Sequence, residues 1–356
     1  MSEADVGGGD RQVAVSVLVP TLNEEDHIER TVEGLLAQRF DGELEFLVID
    51  GNSEDGTRRA LERLARTDRR IRLLDNPHRG IPFALNIGLR HARGEFVARM
   101  DAHTLYPPDY LARGVEHLER RDIDWASGPA FPHGVDAWSS CVALALGTWL
   151  GTGGASFRRA TREVEVDTGF TGILRRETLI RHGGWDEGWA VNEDSELAAR
   201  IRESGGRIAC VPEMAAGYVP RNSLGSLALQ YWRYGQYRAK TCLRHPESMR
   251  RSHVLPPTLT LALAAAALPR RYGSRAPRAG LAVYAVALVG TALSRHSSGV
   301  RQAAALPLVL STMHLAWGFG FIVGCARFGF PLRALLRLPL SGGGTTPSKP
   351  EESWEA

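Results

Sequence analysis

Cysteine is scarce in this chain, with Cys141, Cys210, Cys242 and Cys325 the only four among 356 residues, widely spaced and with no Cys-x-x-Cys pair. That pattern excludes a zinc ribbon or a disulfide framework and fits a reducing, cytoplasmic setting. A dominant charge is also missing. The 43 basic and 40 acidic side chains leave a net charge of +3, too little for a global field that would gather nucleic acid, so no nucleic-acid partner is expected. The opening "MSEADVGGGD" lacks the basic and apolar regions of a signal peptide, and export by a cleavable leader is not expected. No repeat period is present. The Gly-rich "GTGGASFRR" (151–159) lacks the Gly-Lys-Ser/Thr ending of a phosphate-binding loop and the dinucleotide spacing, and reads as a mobile loop.

What is present is enough apolar material for a core, at 44% hydrophobic and 8% aromatic, so the chain is not disordered. Its first hundred residues alternate. "VAVSVLVP" (13–20) reads as a buried strand, and residues 24–38 as a helix with Ile28, Val32, Leu35 and Leu36 on one face. A strand follows at 44–50, a helix at 56–66, a strand at 71–75, a helix near 82–91 and the strand "EFVARMD" at 95–101. Short connections between alternating strands and helices predict an α/β, Rossmann-like domain with a parallel sheet covered on both faces.

Ligands in such sheets sit beyond the carboxyl ends of the strands. Three of those ends carry polar side chains: Pro20-Thr21-Leu22-Asn23-Glu24, Asp50-Gly51-Asn52-Ser53 and Asp101-Ala102-His103. Each alone reads as a turn or a helix cap. Three along one sheet edge read as a site.

"VPTLNEE", "VIDGNSEDGT", "RMDAH", "GGWDEGWAVNEDSELAARIRESGG" and "QYWRY" occur in the order found in family 2 glycosyltransferases of the GT-A fold, and resemble in particular the succinoglycan-type exopolysaccharide enzymes. The resemblance covers roughly residues 13 to 330. It implies an inverting transfer from a nucleotide-diphosphate sugar, with a UDP-sugar the first expectation, to a lipid-linked saccharide. Pro20, Thr21, Glu24, Asp50 and Asn52 then line the donor, with Glu24 and Asp50 matching acids that meet base and ribose. "HRGIPFALNIGL" (78–89) resembles the family's segment before the fourth strand, which places Gly80 and Asn86 beside the donor; for Asn86 a polar contact of its own helix is the other reading. Asp101 matches the first acid of the Asp-x-Asp signature, which meets ribose, diphosphate and metal.

His103 stands at the third position of that signature. A cation bridging the leaving diphosphate offsets charge as it develops. Imidazole suits Mn2+ better than Mg2+, so Asp101 with His103 favours Mn2+, or else Mg2+ is held mainly by Asp101, phosphates and water. His103 as a hydrogen-bond donor to the diphosphate is the alternative. For the acceptor hydroxyl the resemblance names Asp194 as general base, with Glu193 the alternative. The competing reading of both acids is a helix N-terminus, where carboxylates complement the dipole. Trp185 and Trp189, on a Gly-rich turn, read as exposed indoles suited to stacking on an acceptor sugar, and Asp186 beside them as a candidate acceptor or phosphate contact.

Beyond Pro220 the composition shifts. Eleven Lys or Arg and one acid, Glu247, lie between Arg221 and Arg278. Residues 223–252 read as a basic amphipathic helix on an anionic membrane surface. Within it Gln230-Tyr231-Trp232-Arg233-Tyr234 resembles the Gln-x-x-Arg-Trp motif of processive relatives, so Gln230 and Arg233 are candidates to hold a phosphate of donor or acceptor. Three apolar stretches follow at 254–269, 279–294 and 303–326; the third is long enough for a bilayer core of ~30 Å, and the first two, 16 residues each, suit a hairpin that does not cross. The expected organisation is therefore a disordered start (1–12), a GT-A domain (13–222), the interface helix, membrane helices (253–330) and a disordered tail (331–356). Such an enzyme would sit at the inner membrane with its active site facing the cytoplasm, within reach of a polysaccharide assembly complex. Two other readings stay open: transfer directly to a polyprenyl phosphate, and a non-catalytic sugar-binding scaffold.

Overall fold

The computed structural model describes residues 13–153, 160–269 and 275–338. The expected disordered start, most of the expected tail and all but the first three residues of the 151–159 loop lie outside them. Within the tail, residues 332–337 form a helix rather than disorder.

The alternation emerges as read: β1 (Val13–Thr21), α1 (Ile28–Leu36), β2 (Glu43–Asp50), α2 (Thr57–Thr67), β3 (Ile71–Asp75), α3 (Ile81–His91) and β4 (Phe96–Arg99). One boundary differs for a physical reason. Residues 23–25 do not enter the first helix, because their backbone N–H groups donate to the loop after β2: Asn23 to Ser53 Oγ at 2.9 Å, Glu24 to Thr57 Oγ1 at 2.8 Å and Glu25 to Asp55 Oδ2 at 3.2 Å. This stitching holds Glu24 at the sheet edge.

After β4 come the short β5 (Thr104–Leu105), α4 (Tyr110–Arg120), β6 (Trp125–Ser127), β7 (Ala130–Pro132), α5 (Ala137–Leu146), α6 (Trp149–Thr152), β8 (Val164–Glu165), β9 (Gly172–Arg175), α7 (Arg176–Arg181), α8 (Glu193–Glu203), β10 (Ile208–Cys210) and β11 (Ala216–Tyr218). The main sheet has the order β3-β2-β1-β4-β9-β6-β10-β8, and a second sheet the order β5-β11-β7. The parallel expectation holds for β3, β2, β1 and β4 and again where β6 pairs with β10, while β9 and β8 are reversed. Between β4 and β6, β9 runs antiparallel to both. It enters that gap through Gly172 at φ 114°, where a Cβ would sit 2.4 Å from Trp125 Nε1. Only a residue without a side chain turns there.

One core cluster lies on each face of the sheet. Val15, Val17, Val19 and Phe46 meet α1 and α4 on one side, while Leu18, Leu47, Leu85 and Leu197 meet α3 and α8 on the other. Because successive strand residues point to opposite faces, strands buried on both faces read as continuous apolar runs.

The C-terminal part comprises α9 (Leu224–Arg244), α10 (Leu255–Ala266), α11 (Arg275–Ser294), α12 (Val300–Phe328) and α13 (Leu332–Arg337). Two of these, α11 and α12, are long and apolar enough to cross a membrane, with mean hydropathies of 1.4 and 1.6. The second apolar stretch is thus less marginal than its 16 residues suggested, since its helix begins at Arg275. With 12 residues, α10 reaches about 18 Å, short of a bilayer core. The basic segment differs in extent: α9 ends at Arg244, and one side of it packs closely on α12. A Cβ on Gly235 would lie 2.0 Å from the Trp317 carbonyl oxygen, and one on Gly320 would lie 2.1 Å from that of Trp232. The two backbones touch.

Candidate active site

The parallel register aligns Thr21 with Asp50 and Asp50 with Asp75, so the three strand ends form a single ledge. Gly51 N–H donates to Thr21 O at 2.8 Å and Asn76 N–H to Asp50 O at 2.8 Å, which joins the loops beyond the strands. A cavity of about 250 Å³ opens here, lined by Asp50, Asn52, Arg58, Asp75, Asn76 and Pro77. Asp50 is buried, and its Oδ1 accepts from Ser53 Oγ at 2.6 Å while its Oδ2 lies 3.6 Å from Arg58 Nη1. Asn52 takes φ 60°, a left-handed turn that asparagine tolerates. Gly80 precedes α3 and does not line this cavity, though its carbonyl accepts from Asn76 Nδ2, a lining residue, at 3.0 Å. Pro20 and Thr21 close the ledge at the end of β1.

Farther along the edge, Asp101 follows β4. Its backbone N–H donates to Tyr106 Oη at 2.8 Å, and its carboxylate takes two bonds from Arg99, Nε to Oδ1 at 2.8 Å and Nη2 to Oδ2 at 3.3 Å. Arg99 is only 9% exposed and also reaches Glu193 Oε1 through Nη1 at 2.8 Å. The guanidinium therefore bridges the acid after β4 and the first residue of α8. Burial opposes the charge on Arg99, yet Asp101, Glu193 and Asp194 hold its pKa well above the usual value. For Asp101, burial pushes upward and Arg99 more than offsets it, so the carboxyl is held below the usual range. At Glu193 burial prevails, helped by the charge of Asp194 and opposed by Arg99, and its pKa is raised.

His103 is half exposed, with Nδ1 3.2 Å from Glu24 Oε1. That hydrogen bond raises its pKa against the opposing effect of burial. Glu24, Asp101 and His103 thus share one end of the ledge. Among the described residues no group of three or more His, Cys, Asp or Glu side chains is placed to hold a metal ion by itself. The donor set fits a cation shared with a diphosphate. Arg99 takes one bond on each Asp101 oxygen and leaves lone pairs outward, and His103 is accessible beside it, so phosphate oxygens and water would complete the coordination of a hard divalent ion.

Asp194 follows Glu193 in the first turn of α8, after Asn192 in the left-handed region at φ 63°. Its Oδ1 accepts from Ser195 N at 2.6 Å. Glu193 and Asp194 therefore differ: one is buried and bound to Arg99, the other lies at the partly open helix start. The helix start is fastened to α9. Asn192 Nδ2 donates to Tyr234 O at 3.2 Å, Arg238 Nη2 to Ser195 Oγ at 3.3 Å and Trp189 Nε1 to Thr241 Oγ1 at 3.0 Å.

Several sequence assignments need correction. Trp185 and Trp189 are each 3% exposed and do not present rings for stacking. Trp185 fills the core beside Leu179 and Leu197, and Trp189 is covered by Lys240, whose Nζ lies 3.8 Å from the ring centroid. Asp186 is committed to Gly188 N at 2.8 Å and Arg244 Nη1 at 2.6 Å. Asn86 clamps the same loop, donating to Trp185 O at 2.8 Å and accepting from Trp185 N at 2.9 Å. Gln230 Nε2 donates to Tyr234 Oη at 3.0 Å, whereas Arg233 is exposed on α9. Arg99 and Tyr106 were not singled out in the sequence. The signal for Arg99 was a lone cation ending an apolar strand, which implies a buried partner.

Comparisons with known proteins agree with this geometry. Residues 16–183 match the model of Glycosyl transferase family 2. The chain is 32% identical to the succinoglycan biosynthesis protein ExoA of Rhizobium meliloti (strain 1021) over 312 residues, covering 86% of this chain and 93% of that protein. It is 30% identical over 115 residues to the UDP-Glc:alpha-D-GlcNAc-diphosphoundecaprenol beta-1,3-glucosyltransferase WfgD of Escherichia coli, 32% of this chain and 44% of that one. Among solved structures, the mannosyltransferase PcManGT from Pyrobaculum calidifontis, in complex with GDP-Man and Mn2+, superposes with a TM-score of 0.54 at 25% identity, over 85% of this chain and 88% of that one.

Proposed function

The chain belongs to glycosyltransferase family 2, and from that premise we propose that it transfers one sugar, with inversion, from a nucleotide-diphosphate sugar to a lipid-linked saccharide in exopolysaccharide or envelope-glycan synthesis. The observation that carries this reading is the Asp101–Arg99–Glu193 chain of contacts, which brings the donor acid and the residue next to Asp194 into one cluster. The nucleoside occupies the cavity at Asp50 and Asn52, and the diphosphate extends along the edge toward Asp101 and His103. Asp194 accepts the proton of the attacking hydroxyl while a bond forms from its oxygen to the anomeric carbon. The bond from that carbon to the diphosphate breaks on the opposite side, so the configuration inverts.

Asp194 acts chiefly by position, late in the transfer, when the hydroxyl has become acidic. Glu193 is a poorer candidate because its carboxylate is engaged by Arg99. A divalent cation, Mn2+ or Mg2+, would be held by Asp101 and His103 and would supply countercharge to the departing diphosphate. The named relatives support a lipid-linked acceptor, since that of the Escherichia coli protein is a diphosphoundecaprenol saccharide. The apolar α11 and α12 support attachment to the inner membrane with the site on the cytoplasmic side.

The test is transfer by detergent-purified protein, with UDP- and GDP-sugars, lipid diphosphate saccharide or lipid monophosphate as acceptor, and Mn2+ or Mg2+. Asp194→Asn is expected to lower kcat by about 10²–10⁴ with donor binding retained. Unchanged transfer by that variant would overturn the assignment of the base. Activity that survives chelation would remove the cation, and preference for the lipid monophosphate would replace the proposed acceptor.

A further inference from the structure

Resting on the proposed transfer reaction, we infer that Arg99 is a positioning residue that sets the spacing between the donor and the base. The carboxylates of Asp101 and Glu193 meet at this buried cation, and 94 positions of sequence separate Arg99 from its second partner. Among the described residues no strand pairing joins β4 to α8. β4 pairs with β1 and β9, and α8 lies on a different part of the chain, so the side-chain bridge is what fastens the start of α8 to the residue beyond β4. A guanidinium suits this task because its planar fork can serve two carboxylates at once, at 2.8 Å each here, whereas an ammonium is a point charge on a flexible stem.

The consequence for catalysis follows from what each end holds. Asp101, turned by two bonds from Arg99 and by Tyr106 Oη on its backbone, would fix the diphosphate end of the donor and with it the anomeric carbon. Glu193 is joined by one peptide bond to Asp194, so fixing its carboxylate fixes the base helix. Misplacing a catalytic group by about 1 Å can cost 10² in rate. Arg99 touches no reacting atom in this scheme. It acts through Asp101 and Glu193, and its loss should appear in turnover before it appears in donor affinity.

The experiment compares wild type, Arg99→Lys and Glu193→Gln as full-length proteins in detergent. Donor KM and kcat of transfer are measured, with UDP or GDP binding by calorimetry. Glu193→Gln keeps the volume and an acceptor for Arg99, so it reports on the bridge even where Arg99→Lys folds poorly. The expected result is a kcat about 10²-fold lower in Arg99→Lys and about tenfold lower in Glu193→Gln, with donor KM and nucleotide affinity within about threefold of wild type. Wild-type kcat in both variants would overturn the proposal. So would an affinity loss as large as the rate loss, because Arg99 would then be serving donor binding through Asp101 alone. A wild-type protein that transfers no sugar overturns the proposed function and the bridge together, whereas wild-type turnover beside unimpaired variants overturns the bridge only.

Discussion

Replacing Gly320 by alanine tests how closely the catalytic and apolar parts of the molecule are joined. The added Cβ would sit 2.1 Å from the backbone oxygen of Trp232, where real Cβ atoms stay beyond 3.0 Å, so α12 and α9 must part locally by about 1 Å. A backbone carbonyl inside a helix cannot swing away as a side chain can. Overpacking of this kind costs about 1–3 kcal/mol, set against a gain of about 1 kcal/mol for alanine over glycine within a helix. Gly290→Ala on α11 is the matched control, because nothing lies within 4 Å of its added Cβ and only the propensity gain applies. The two variants should therefore differ in stability by about 1–3 kcal/mol, the overpacking cost alone. Thermal unfolding in detergent, followed by tryptophan fluorescence, gives that difference directly, since Trp232 and Trp317 flank the crossing. Equal midpoints for the two variants would refute the close approach of the backbones.

Two further outcomes follow from groups outside the reacting centre. His245 lies between Glu203, 2.8 Å from Nδ1, and Glu196, 3.3 Å from Nε2, with Arg200 and Arg244 facing Glu196 from α8 and α9. Burial lowers the His245 pKa, but the two glutamates outweigh it and the net shift is upward from 6.5, while Glu196, against its burial, is held below 4.5 by His245 and the two arginines. A raised histidine contributes fully below its unfolded pKa, and a depressed carboxylate contributes above its own. The network should thus stabilise most between pH 4.5 and 6.5 and weaken as pH rises through the folded pKa of His245; a melting series from pH 5 to 9 should flatten on the alkaline side in His245→Gln. Asn86→Ala should remove both bonds to Trp185 and cost about 1–3 kcal/mol in unsatisfied backbone groups, with donor KM unchanged. A donor KM raised tenfold in a variant of normal stability would return Asn86 to the donor site.

The first hundred residues were legible because their signals are local. Apolar runs such as "VAVSVLVP" and "LEFLVID" give buried strands, and polar residues immediately after them give the ledge at Asp50 and Asp101. Strands of two to four residues further on, such as β5, β8 and β9, gave no such signal, since pairing with distant partners rather than a period makes them strands. The indoles failed for a related reason. A Gly-rich turn implies surface, and "GGWDEGWAV" is a turn, but Trp189 finds its partner Thr241 across 52 positions and is covered there. Arg99 shows the converse. A charge at the end of an apolar strand is costly unless paired, yet the sequence names only Asp101 as a neighbour, and Glu193 comes from the other end of the domain.

The same long-range pairing changes what α9 is. Its basic and aromatic side chains read as a surface for anionic lipid, but Tyr234, Arg238, Thr241 and Arg244 recur at helical spacing and meet the loop and helix that carry Asp194. Gly235, on an adjoining stripe, meets α12 backbone to backbone. A helix committed on one side to the segment that carries Asp194 and on another to an apolar helix couples the two. Asp194 is therefore positioned from two directions, through Arg99 and Glu193 from the sheet edge and through α9 from the apolar helices. In the proposed reaction those helices help to build the active site as well as attach it, which suits a transfer whose second substrate reaches the enzyme along a membrane.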